Sequence, residues 1–173
     1  MENQANSKSI ILNYGLILGV LSIILNMIIY AMDKSFNPGW VFGSIGFLLP
    51  IVLIILGIKK FKSDNNGFMS WGQAVKTGVG IMLISTLIAV LYQQIFENFI
   101  EPDFALQKIE HVKQQYLDAG MDEDQVESSI EMAKKFQGPV ISSAFALIGF
   151  AIYGFIISAI AGAIMKKTEE NDY

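Results

Sequence analysis

The residues that could do chemistry are few. His111 is the single histidine, and its acidic neighbours are Glu110, Asp118 and the run Asp122-Glu123-Asp124. A histidine metal centre needs further ligands at a working spacing, such as a second histidine three or four positions on. None exists, so His111 reads as a solvated helix residue. The acidic run lacks the alternating oxygens, central glycine and terminal glutamate of a calcium loop. It reads as carboxylates placed at the positive end of a helix. With no cysteine, disulfides, thiolate ligation and cysteine nucleophiles are excluded. No nucleophile–base pair, P-loop or glycine-rich phosphate fingerprint occurs. The expectation is no catalytic residue, no cofactor, no metal and no enzymatic activity.

Basic and small residues carry the remaining candidate roles. Lys59, Lys60 and Lys62 follow an apolar run. They could contact anionic lipid headgroups, each contributing about 1 kcal/mol near the surface. They would serve equally as a topology signal. Gly15, Gly19 and Ser22, with Asn26 beyond, form one small-residue face, and Gly154, Ser158 and Gly162 keep an i, i+4, i+8 register. Small residues let helices approach closely in lipid. The two faces predict a direct antiparallel seam between the first and last long helices. Asn26 would then reach a backbone carbonyl or the Tyr153 hydroxyl across it. Ser85 and Thr86 are also polar residues within apolar runs, and helix contacts could satisfy them. No ionisable side chain lies deep in any run, which removes the groups that proton relays and charge-coupled pumps rely on.

The elements that position these residues follow from charge segregation. Only 16% of residues are charged, against roughly a quarter in an average soluble domain, and the deficit is concentrated. Stretches 9–32, 35–58, 77–96 and 136–165 hold no Asp, Glu, Lys or Arg. Each supplies the ~20 residues a helix needs to cross a ~30 Å hydrocarbon core. Backbone amides in lipid must be satisfied internally, so these are helices. The predicted fold is all-α: one membrane domain over 1–173, with spans at about 10–32, 39–58, 74–96 and 139–165. The first apolar run is too long for a signal-peptide core and reads as a retained helix. Pro50 falls inside the second span and predicts a fixed bend.

Between the third and fourth spans the polar segment reads as a helical hairpin over about 102–136. Pro102 ends or bends the third helix, and Gly120 closes the first arm. Asp122 is the expected N-cap of the second arm, with Gln125 at N3. Ser70 and Gln73 have capping-box spacing at the start of the third span.

Orientation follows from lysine placement. One side would hold Lys8, Lys59, Lys60, Lys62, Lys76, Lys166 and Lys167; the other holds Lys34, Lys108, Lys113, Lys134 and Lys135. The segment 97–135 carries ten acidic residues for four lysines. Both termini are therefore expected in the cytoplasm and the hairpin outside. The net charge of −4 gives no basic field for nucleic acid. The lipid bilayer is the expected partner, with another membrane protein or a second copy of the chain beside it.

The chain also resembles a known family. Asn13-Tyr14-Gly15, 56–61 (Leu-Gly-Ile-Lys-Lys-Phe), 67–74 (Gly-Phe-Met-Ser-Trp-Gly-Gln-Ala), 99–104 (Phe-Ile-Glu-Pro-Asp-Phe) and Ile164-Met165-Lys166-Lys167 are similar as a set to the bacterial domain-of-unknown-function family 4199. The resemblance covers nearly the whole chain. It implies a small multi-pass inner-membrane protein and no assigned activity. The expected function is a non-enzymatic subunit, scaffold or envelope accessory factor acting through contacts. The alternative is a small oligomeric transporter or channel for a neutral or apolar solute.

Overall fold

The structure, a computed structural model, describes residues 6–136 and 138–168. The acidic C-terminal residues 169–173 (Glu-Glu-Asn-Asp-Tyr) lie outside the described residues. Among those described, six α-helices and no β-strand occur: α1 (Ser7–Ala31), α2 (Gly39–Asp64), α3 (Trp71–Ile95), α4 (Phe104–Asp118), α5 (Glu123–Lys135) and α6 (Pro139–Met165). Four of the helical segments are long and apolar enough to cross a membrane. The all-α architecture expected from the charge-free runs is the one found.

Local chemistry sets the helix ends. Asn6 caps α1, its side-chain oxygen accepting from the Ser9 amide at 3.2 Å. The α2 helix runs six residues past the expected end at 58, through Lys59 to Asp64. Lys60 and Asp64 pair at i,i+4 across 2.8 Å, and no helix breaker intervenes before Asn66-Gly67. These two residues take positive φ and turn the chain. The α3 helix opens on a complete capping box. The Ser70 amide donates to Gln73 Oε1 at 2.8 Å, and the Gln73 amide donates to Ser70 Oγ at 3.2 Å. At its other end α3 widens into a π-helical turn, Phe96–Ile100, closed by the Glu101 amide on the Phe96 carbonyl. Glu101 is extended, φ −138° and ψ 77°, because the ring of Pro102 disfavours helix in the residue before it. Pro139 is the first residue of α6, where its missing N–H costs nothing.

Two compact units result: Met1–Ala89 with Leu147–Tyr173, and Val90–Ala146. The first holds α1, α2 and most of α3 and α6. Its organising helix is α3. A β-carbon built at Gly15 or Gly19 of α1 would meet Ile84 or Ile88 of α3 at 2.6–3.0 Å. One built at Gly154 or Gly162 of α6 would meet Met82 or Ala74 of α3 at 2.7–2.8 Å. One at Gly57 of α2 would overlap the Ile81 side chain. Thus α3 is packed on three sides, and its apolar window is the most buried of the four. The core comprises Leu18, Ile54, Ile58 and Ile81, all at 0% exposure, with Met82 and Ala161. The outer surface is apolar too, with Leu16, Val52 and Ile160 about half exposed. Such a surface suits lipid rather than water.

The second unit contains the hairpin. A Schellman motif ends α4: the Met121 amide donates to the Tyr116 carbonyl and the Gly120 amide to that of Leu117. Gly120 takes φ +80°, the left-handed conformation this motif requires. Val126 and Ile130 of α5 are buried. Glu123 and Asp124 in the first turn and Lys134 and Lys135 in the last complement the α5 macrodipole. Phe96 is buried beside Phe104, their rings edge to face at 5.2 Å.

Candidate functional site in the four-helix unit

The two small-residue faces do not meet each other. Gly15 and Gly19 lie against one side of α3, and Gly154, Ser158 and Gly162 against another. The direct seam expected between the first and last helices is therefore replaced by two seams, each with α3 as partner. The physical reason is that α3 has small residues of its own. Ala74 and Gly78 admit α6, while Gly80 receives the Ile11 side chain of α1. The pairs run in parallel order for α1 with α3 (11 with 80, 15 with 84, 19 with 88). They run in antiparallel order for α6 with α3 (162 with 74, 158 with 78, 154 with 82). Gly57, Gly78 and Gly80 were not singled out as packing residues from the sequence. The signal that could have found them is that α3 carries small residues on more than one face.

The basic end of the unit is tied together by polar contacts. Lys62 Nζ donates to the Met165 carbonyl at 2.8 Å, so its ammonium satisfies the C-terminus of α6. Lys60 is held by Asp64. Of the three candidate headgroup lysines only Lys59 has no partner among the described residues. Met69 and Lys167 exchange backbone hydrogen bonds at 2.8 and 2.9 Å, and Lys167 Nζ lies 5.2 Å from the Phe68 ring centre. Trp71 donates its indole N–H to the Ala159 carbonyl at 3.1 Å and meets Phe155 edge-on.

At a different level the same unit holds a cleft of about 220 Å³. Its floor includes Met82, Ser85 and Thr86, each 3–4% exposed. Asn26 and Phe150 stand exposed at its rim. Ser22, Leu25, Ile29, Leu49, Pro50 and Ala89 form the walls. Gly46 also lines it, and Pro50 has no N–H to return to the Gly46 carbonyl. The polar residues of the spans now separate into two kinds. Thr86 donates to the Met82 carbonyl at 2.8 Å, and the Tyr153 hydroxyl to the Phe47 carbonyl of α2 at 2.7 Å. The Ser22, Asn26 and Ser85 side chains make no hydrogen bond among the described residues. The expected reach of Asn26 to Tyr153 is not made; the Tyr153 hydroxyl bonds α2 instead.

In the hairpin, His111 bonds Gln115 at 3.1 Å. Asp122 occupies the N-cap position of α5, and its carbonyl accepts from Val126. Its side chain makes no capping bond, in contrast to the expected cap. Among the described residues no three His, Cys, Asp or Glu side chains converge as a metal site would need.

No curated protein and no solved structure matches this chain. Four membrane-length apolar helices, packed through glycines at close approach, fit a multi-pass membrane protein. Residues 13–167 match the family model described as protein of unknown function (DUF4199), and the chain belongs to that family.

Proposed function

We propose that this protein is a multi-pass protein of a bacterial inner membrane that works through contacts, as a subunit, scaffold or envelope accessory factor, and not as an enzyme. Both termini face the cytoplasm in this reading, and the acidic hairpin faces outward. The observation that carries it is the division of side-chain work. The spans hold no ionisable group at depth, and their small residues are spent on holding α1, α2 and α6 against α3. The lysines at one end of the four-helix unit cap and tie helices: Lys62 engages Met165, and Lys167 engages Met69 and Phe68. Polar chemistry is thus used for construction, which favours a framework that presents surfaces to a partner.

Reporter fusions and affinity isolation test the two halves of this reading. A reporter fused after Lys167 is expected to signal cytoplasm, and a tag inserted at Gly120 to be reached from outside. A C-terminus found outside would overturn the orientation. Isolation of the intact chain with its native lipids is expected to recover a stoichiometric membrane-protein partner. Recovery of a self-only oligomer that conducts a neutral solute in liposomes would replace the framework role with a conduit.

A further inference from the structure

The cleft in the four-helix unit is lined by the Asn26 amide and by the Ser22 and Ser85 hydroxyls, and none of these side chains has a hydrogen bond among the described residues. Several hydroxyls in these helices bond to the carbonyl four residues back: Thr77 to Gln73, Thr86 to Met82, Ser158 to Gly154. Ser85 has the same option at Ile81 and does not take it. The Ile81 carbonyl instead faces Gly15, where a β-carbon would stand 3.1 Å away. Ser85 is only 4% exposed. Among the described residues every fully sealed side-chain polar atom has a partner, so the unpartnered Ser85 hydroxyl opens onto the cleft it lines. At the rim, the Asn26 amide is a further donor without a partner among the described residues, and it is flanked by Leu25 and Ile29 in the same wall. A primary amide facing hydrocarbon without a hydrogen bond is strongly disfavoured. The occupant must therefore bring acceptors to Asn26 and Ser85.

The rest of the lining narrows the class. Leu25, Ile29, Leu49, Met82 and Phe150 make the cleft mostly apolar, and no charged residue lines it. Its 220 Å³ far exceeds the roughly 30 Å³ share of one water, and most of its wall offers water no hydrogen bond. The exposed rim at Asn26 and Phe150 faces outward from a unit whose surface is apolar. In a bilayer that rim meets lipid at very high local concentration. We infer that the cleft between Asn26 and Ser85 is a binding site for one diester membrane lipid, with its ester carbonyl oxygens accepting from these two side chains and an acyl chain packed against Leu25, Leu49 and Phe150. The inference rests on α1, α2, α3 and α6 spanning the bilayer.

The test uses the full chain in nanodiscs of diester phosphatidylcholine or of its diether analogue, which has the same tails and no ester carbonyl. Retained lipid is counted by native mass spectrometry after release from the disc. The wild-type chain is expected to hold one diester lipid about tenfold more persistently than a diether lipid, as befits loss of two buried hydrogen bonds. Asn26→Leu with Ser85→Ala is expected to abolish that preference. Ala89→Phe fills the cleft and keeps both polar groups, and it is expected to lower retention of both lipids. Equal retention of diester and diether lipid by the wild type, as a cleft holding water would give, overturns the inference. So does a preference that survives the double substitution. Failure of the chain to enter nanodiscs would instead strike at the spanning of the bilayer, which separates the two readings.

Discussion

Ser158 of α6 sits directly on Gly78 of α3: a β-carbon at position 78 would overlap the Ser158 β-carbon and stand 2.9 Å from Ile54 Cγ2. Three helices converge at this point, and the absence of one methyl group allows it. Gly78→Ala is expected to destabilise the detergent-solubilised protein by about 1–3 kcal/mol through overpacking, read as a lowered thermal midpoint. Ser158→Gly should restore part of the loss in the double variant. Ser158→Ala should not, because it keeps the β-carbon. Equal rescue by both would mean that the hydroxyl, not the close approach, sets the cost.

Cysteine pairs can separate the two seams on α3 from a direct seam between α1 and α6. The chain has no native cysteine to confuse the result. A β-carbon at Gly19 lies 3.0 Å from that of Ile88, and a small shift brings the pair to the ~3.8 Å that a disulfide prefers. Gly19→Cys with Ile88→Cys is expected to crosslink internally on oxidation in membranes. Gly19→Cys with Ser158→Cys is expected to stay reduced. A strong internal bridge in the second pair would restore the direct seam.

The lysines near the end of α2 should differ in weight. Lys62 is half-buried and donates to the Met165 carbonyl, so Lys62→Ala is expected to cost about 1–2 kcal/mol, near the range for hydrogen bonds to charged groups. Faster amide exchange around 165–168 should accompany it. Lys60 forms an exposed i,i+4 pair with Asp64, and Lys60→Ala should leave stability nearly unchanged. A reversed order of the two would remove Lys62 from its capping role.

Two helix starts that look alike in sequence should respond differently to substitution. Ser70→Ala removes half of a formed capping box and is expected to cost about 1 kcal/mol. Asp122→Ala removes a side chain with no capping bond and should stay within about 0.5 kcal/mol. Protease cleavage between Gly120 and Phe136 reads the second case. Accelerated cleavage in Asp122→Ala would show that the carboxylate does hold α5.

The helices themselves, their approximate ends and the membrane class were legible along the chain, because a bilayer forces both charge exclusion and internal backbone bonding onto each span separately. Ser70 with Gln73, Gly120, and Pro139 at the head of α6 announced their local roles, since caps and turns depend on residues within a few positions of one another. The family was legible too, through short pieces such as 67–74 and 164–167. What the chain could not disclose was which stripe meets which. Gly15, Gly19, Gly154 and Ser158 each advertise a close approach without naming the partner, and only the assembled unit decides for α3. That decision turns on Gly78, Gly80 and Ala74 opening α3 on several sides at once. The cleft is tertiary for the same reason. Ser85 and Thr86 are adjacent and chemically similar, yet one hydroxyl folds back on its own helix while the other is left facing space that four different helices enclose.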